Sequence, residues 1–191
     1  MNPQPEPFAA LRIALEAAGI RFAIGGSWAS MTFGEPRFTN DVDVIADLSL
    51  PAVDRFIAAL PTTFYADAAD ARTAVMTGRS FNVIHVPSLL KFDLFPARAF
   101  PLGMAELDRA IFVPGTGLSD DPVPFVTPED ILLAKLHWYR RGGEISSVQW
   151  RDISGIVNAC AATLDRAYLE RSAAKIGVTD LLARALEHAD R

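Results

Sequence analysis

Cysteine is almost missing from this chain. Cys160 is the single one in 191 residues, which excludes an intrachain disulfide and any cysteine metal cluster. It follows Ile153, Ile156 and Val157 at helical spacing and reads as a core residue, not a nucleophile. Histidine is scarce too. His85, His137 and His188 show no ligand spacing and are assigned no role. Basic charge is outweighed: 18 Lys and Arg stand against 23 Asp and Glu, a net charge of −5. That argues against broad, nonspecific nucleic-acid binding, though it leaves room for a local basic patch. The mean hydropathy is slightly positive at +0.19, yet no apolar run approaches the length of a bilayer span. The first residues, MNPQPEPFAALRIALEAAG, have no basic leader region and carry Glu6 and Glu16. They do not read as a secretory signal. The expectation is a cytoplasmic protein that does not engage the membrane. Repeats and low-complexity segments are absent.

What is present is globular. Half of the residues are hydrophobic and 21% are charged, ample material for a packed core. The length fits one domain, or a core with an appendage. Residues 6–18 predict an amphipathic helix, with Phe8, Leu11, Leu15 and Ala18 on one face. RFAIG predicts a short strand, 27–33 a helix stopped by Gly34 and Pro36, and FTNDVDVIA a second strand. Residues 50–60 suit a helix with Pro51 in its first turn, and 66–76 another. SFNVIHV and LLKFDLFP predict two strands joined as a hairpin at Pro87-Ser88. AIFVP and VPFV are shorter strand candidates around the loop GTGLSDD.

From Thr127 the character changes. Thr127 can cap a helix, Pro128 suits its first position, and Glu129 and Asp130 favour its positive end. Gly142-Gly143 ends it, and helices over 147–163, 165–175 and 178–189 follow. The reading is an α/β core over 1–126 and a helical part over 127–191.

The stretch FAIGGSWASMTFGEPRFTNDVDVIADL, residues 22–48, carries the chemistry. Side chains alternate across a strand, so Arg37, Thr39, Asp41 and Asp43 share one face. Phe38, Asn40, Val42 and Val44 share the other. Two carboxylates at i and i+2 repel when both are ionised, and a divalent cation with oxygen ligands relieves that repulsion. In LLKFDLFP, Lys91, Asp93 and Phe95 face opposite to Leu90, Phe92 and Leu94. If that strand lies beside DVDV, Asp93 reaches the same cations. Three carboxylates on neighbouring strands match a two-metal site for phosphoryl transfer. In FAIGGS, Gly25 and Gly26 allow close backbone approach. The amides of the next helical turn, with the Ser27 hydroxyl, make an anion site. A glycine pair alone is usually a turn, and a D-x-D alone usually a solvated strand edge. Together, with the third aspartate, they point to phosphate and metal binding in one place.

These motifs resemble the nucleotidyltransferase superfamily, which shares a core with DNA polymerase beta. Its signature is a hydrophobic residue, G, then G or S, and further on D-hydrophobic-[D/E]-hydrophobic, here IGGS and DVDV. The run GGSWASMTFGEPRFTNDVDV is most similar to AbiEii-type and related small bacterial nucleotidyltransferases, with RFTNDVD matching their R-x-[T/S]-x-D-x-D. Their lysine-bearing helix and following aspartate correspond to EDILLAKLHWYRR and WRDISGIV. The resemblance covers most of residues 20–160.

It implies a mixed sheet flanked by helices and the transfer of a nucleoside monophosphate from an NTP to a hydroxyl, with two magnesium ions. Gly25, Gly26 and Ser27 would hold the triphosphate. Asp41 and Asp43 would ligate magnesium, and Asp93 would complete the site and serve or position the base. Lys135 would reach the phosphates, supported by Asp152. Lys135 also lies on a largely apolar helical face, so it is either snorkelling or paired. Arg37 and Thr39 would contact phosphate, or Arg37 would neutralise the acidic row. Arg140 reads as a solvated helix end. Trp28, Trp138 and Trp150 read as packing residues, one of them able to stack a base if near the pocket. The acceptor is open between RNA, a protein side chain and a small molecule such as an aminoglycoside or lincosamide.

Two other readings stand beside the enzyme. One is a catalytically inactive regulatory module, such as one member of a toxin–antitoxin pair with an antitoxin-like protein partner. The other is a structural cation site.

Overall fold

The computed structural model describes residues 6–189. Residues 1–5, where the leader-free reading begins, and 190–191, the end of the expected helical part, lie outside it. The chain begins with helix α1 (Pro7–Ala17), strand β1 (Phe22–Ile24), helix α2 (Gly26–Phe33) and strand β2 (Asp41–Ala46). Helix α3 (Leu50–Ala59), strand β3 (Phe64–Tyr65), helix α4 (Ala68–Thr77) and the hairpin β4 (Phe81–His85) and β5 (Leu90–Pro96) follow. A 3-10 turn at Ala97–Ala99 leads to α5 (Gly103–Arg109), β6 (Ile111–Val113) and β7 (Val123–Phe125). Helices α6 (Pro128–Arg141), α7 (Ser147–Cys160), α8 (Arg166–Ile176) and α9 (Thr179–Ala189) complete it.

The strands form one mixed sheet in the order β3-β4-β5-β2-β1-β7-β6. The β2–β5 and β1–β7 pairs are parallel, and the others antiparallel. The parallel β2–β5 pair needs a crossover, which the α3–α4 region supplies. Along β2, exposure alternates strictly: Val42, Val44 and Ala46 are buried, Asp41, Asp43 and Ile45 half-buried. Val42, Val44, Phe92 and Leu94 share one core with Phe8, Leu11 and Leu15 of α1 and with Val53 and Phe56 of α3. The rings of Phe8 and Phe92 lie 6.5 Å apart. Each such side chain contributes about 1.5–3 kcal/mol by leaving water, so the register of β2 is firmly set. A slip of one residue would turn its aspartates into this core.

Helix α6 begins as its sequence predicts. Thr127 Oγ1 accepts from the Asp130 amide at 3.3 Å, and Pro128 takes the first turn. Asp130 is fully buried and held by Arg109 Nε at 3.1 Å and Tyr168 Oη at 2.5 Å. These bonds fix the helix that carries Lys135. Arg140, expected as a solvated helix end, is an ion-pair centre instead. Its Nη2 reaches both oxygens of Asp180 on α9 at 2.6 and 2.7 Å.

The expected helices and strands are present, with three differences. The second strand starts at Asp41 and not at Phe38, because Pro36 and the turn after Gly34 keep residues 35–40 irregular. Phe38, read as an apolar-face residue, is 83% exposed. Helix α5 and the two-residue β3 lie in segments that were read without regular structure.

Candidate active site

The site is built where β1 turns into α2. Gly25 ends the strand run, and its amide donates to the Asp43 carbonyl at 2.9 Å. Gly26 takes φ +52, a left-handed value that favours glycine. The turn aims the Ser27 amide at Asp43 Oδ2, 3.2 Å away. The bend and β2 are thus clipped together through Asp43.

Asp93 is the direct parallel neighbour of Asp43, and Lys91 that of Asp41. All four side chains project from one sheet face. Lys91 Nζ lies 3.2 Å from Asp41 Oδ1 and 3.1 Å from Asp93 Oδ2. Burial pulls the Lys91 ammonium down, but hydrogen bonds and charge from Asp93 and Asp41 outweigh it and hold the pKa above the ordinary lysine value. Asp43 titrates above the usual aspartate range. Burial is the main cause and the Asp93 and Asp41 charges add to it, against the Ser27 amide and the Lys135 charge. Asp93 Oδ1 is buried and accepts no hydrogen bond.

Opposite the sheet, Lys135 Nζ meets Asp152 Oδ2 at 2.8 Å. Arg37 reaches the same carboxylate, Nε to Oδ1 at 3.3 Å and Nη2 to Oδ2 at 3.4 Å, and also hydrogen-bonds Ser27 Oγ. Ser27, Arg37, Asp152 and Lys135 thereby form one chain of polar contacts from α2 through the 35–40 segment and α7 to α6. A cleft of about 350 Å³ opens beside this chain of contacts, lined by Gly26, Ser27, Asp43, Lys135, Trp138 and Gln149 among others.

No protein-family model matches the chain, and no curated protein does either. Solved structures are similar. An antigenic nucleotidyltransferase-like protein from Paracoccidioides brasiliensis is 19% identical, with 94% of this chain and 90% of that one covered and a TM-score of 0.53. The antibiotic-resistance factor ANT(2'')-Ia is 17% identical over 94% of this chain and 92% of that one, with a TM-score of 0.49. This chain has a nucleotidyltransferase-type fold.

Within this nucleotidyltransferase-type fold, the residues singled out in the sequence fall into two groups. Gly26, Ser27, Asp43 and Lys135 meet at the cleft, while Asp41 and Asp93 flank Asp43 on the sheet and Gly25 forms the bend. Arg37 and Thr39 are not on the β2 face. The Thr39 hydroxyl caps the start of β2, contacting the backbone of Asp41 at 3.3 and 3.4 Å. Arg37 does not neutralise the acidic row; it neutralises Asp152. Lys135 is paired, which settles the snorkelling alternative.

Magnesium takes oxygen donors, and Asp41, Asp43 and Asp93 are an oxygen-only set on one face. The unbonded Asp93 Oδ1 is an acceptor that a cation would satisfy. Among the described residues, however, no three acidic, histidine or cysteine side chains stand close enough to cage a metal as they are. Lys91 spans the gap between Asp41 and Asp93. The donor types suit a divalent cation, and Lys91 stands between two of them.

Two features escaped the sequence reading. Lys91 was assigned to the correct face without a role. The second feature is an adjoining cavity of about 470 Å³, sharing Ile45, Phe95, Ala134 and Trp138 with the cleft. Glu106 lines it, 2% exposed. Burial, helped by the charge of Asp130, pushes its pKa up to about 8. Trp138, shared by both spaces, is 47% exposed.

Among the described residues, no helix is long and apolar enough to cross a membrane.

Proposed function

We propose that this protein is a magnesium-dependent nucleotidyltransferase that moves a nucleoside monophosphate from an NTP to a hydroxyl. The carrying observation is the register that sets Asp93 beside Asp43, with the Ser27 amide bonded to that same Asp43.

In this reading the Ser27 hydroxyl, at the start of α2, binds a triphosphate oxygen, while its amide stays on Asp43. Lys135 supplies the cation for the phosphates, and Asp152 with Arg37 keeps its ammonium extended toward the cleft. Trp138 offers a flat, half-exposed wall for the base. Magnesium held by Asp41, Asp43 and Asp93 would neutralise the triphosphate and lower the pKa of the attacking hydroxyl. Asp93, beside Asp43 on the sheet, would serve as or position the base that takes the hydroxyl proton. The acceptor oxygen bonds the α-phosphorus as the bond to the β-phosphate oxygen breaks, and pyrophosphate leaves.

A second reading is a non-catalytic binding protein that keeps the fold. One observation favours it: Lys91 already joins Asp41 to Asp93. Incubation with α-labelled NTPs, magnesium and cell extract separates the two. The enzyme reading predicts a labelled product that disappears with Asp43→Asn. No product from any of the four NTPs would favour the binding protein.

A further inference from the structure

We propose that Lys91 is a built-in competitor for the divalent cation: its ammonium holds Asp41 and Asp93 together and must leave before a cation can join them. The inference rests on the metal-site reading above and adds an order of events to it.

The position of Lys91 is set by the backbone. It is the strand neighbour of Asp41 across the β2–β5 pair and lies two residues before Asp93 on the same face. Its Nζ approaches one oxygen of each carboxylate, at 3.2 and 3.1 Å. An ammonium that bridges two carboxylates occupies the position a bridging cation would take. Its pairing leaves Asp93 Oδ1 without a partner, so Lys91 satisfies only part of the carboxylate set. Its side chain is 33% exposed, which gives it a way out into solvent. The Lys91–Asp41 pair is partly exposed, at 33% and 49%, and such pairs contribute little. The contact can therefore be broken at small cost, yet two such contacts shift an equilibrium by about tenfold. Bare metal then binds poorly. A cation arriving on a triphosphate brings the negative charge that Lys91 can follow.

The test is Mn²⁺ binding without nucleotide, read by the loss of the free Mn²⁺ resonance, on the full chain and on Lys91→Met, Lys91→Arg and Asp43→Asn. The expected result is about tenfold tighter Mn²⁺ binding in Lys91→Met, near wild-type affinity in Lys91→Arg, and loss of binding in Asp43→Asn. If Mn²⁺ binding depends on Asp43 but ignores Lys91, the competitor role is wrong and the metal site stands. If neither wild type nor Lys91→Met binds Mn²⁺, with or without a non-hydrolysable ATP analogue, the metal-site reading fails and this inference with it.

Discussion

A methyl group on Gly26 would land 1.6 Å from Asp43 Oδ2. The bend and the central carboxylate are therefore packed to the limit of what a residue without a side chain permits. At Gly25 the same methyl would meet only the Ile45 side chain, at 3.2 Å from Cγ1 and 3.3 Å from Cδ1. The two adjacent glycines are not equivalent.

Gly26→Ala is expected to cost about 1–2 kcal/mol from its left-handed backbone alone and to push Asp43 off the Ser27 amide. Calorimetric titration with an NTP analogue and magnesium should show at least about a hundredfold weaker binding, a loss of about 2.7 kcal/mol. Gly25→Ala should stay within about tenfold of wild type. Equal losses at both positions would remove the special status of the Gly26–Asp43 contact.

Lys135 and Asp152 should separate binding from stability. Asp152→Ala leaves Lys135 and Arg37 without their shared counter-ion in a mostly buried place. Breaking such a pair costs about 3–5 kcal/mol, and the partial exposure of Arg37 puts the expected loss at the low end. Lys135→Met leaves Asp152 paired with Arg37, so denaturant unfolding should change by less than about 1.5 kcal/mol. Triphosphate affinity should nevertheless fall in Lys135→Met. A Lys135→Met protein that binds NTP as tightly as wild type would make this lysine purely structural.

Glu106 gives a pH signature. Its folded pKa of about 8 lies above the ordinary 4.5, so the folded protein binds its proton more tightly than the unfolded chain does. Its stabilising contribution is therefore complete below pH 4.5 and is lost as pH rises to about 8, by about 1.4 kcal/mol per pH unit. Glu106→Gln removes this dependence. Measured by denaturant unfolding from pH 5 to 8, the stability of Glu106→Gln relative to wild type should climb with pH. A constant difference across that range would mean that the carboxyl is not held neutral.

Much of the site was legible because strands alternate. The period of two put Asp41 and Asp43 together on one face of β2, and Lys91 and Asp93 together on one face of β5, from local sequence alone. That Asp93 meets Asp43 is a matter of parallel register between segments about 50 residues apart in the chain, which local sequence does not encode. For the same reason the ion pair of Lys91 with Asp41 was hidden. Arg37 was misplaced because alternation was extended backward through a segment that Pro36 keeps out of the sheet. The capped helix α6 was plain in TPED, whereas α5, only seven residues long, has too few turns for an apolar period to emerge. Glu106 sits in that helix, and its burial depends on elements that close over it.

The most direct test of the account is the position of Mn²⁺ in a crystal grown with a non-hydrolysable NTP analogue, located by anomalous scattering. The account predicts Mn²⁺ contacted by carboxylate oxygens of Asp41, Asp43 and Asp93, with the triphosphate against Ser27 and Lys135 and Lys91 withdrawn from the aspartates. Mn²⁺ found elsewhere, or a nucleotide bound with Lys91 still bridging Asp41 and Asp93, would contradict it.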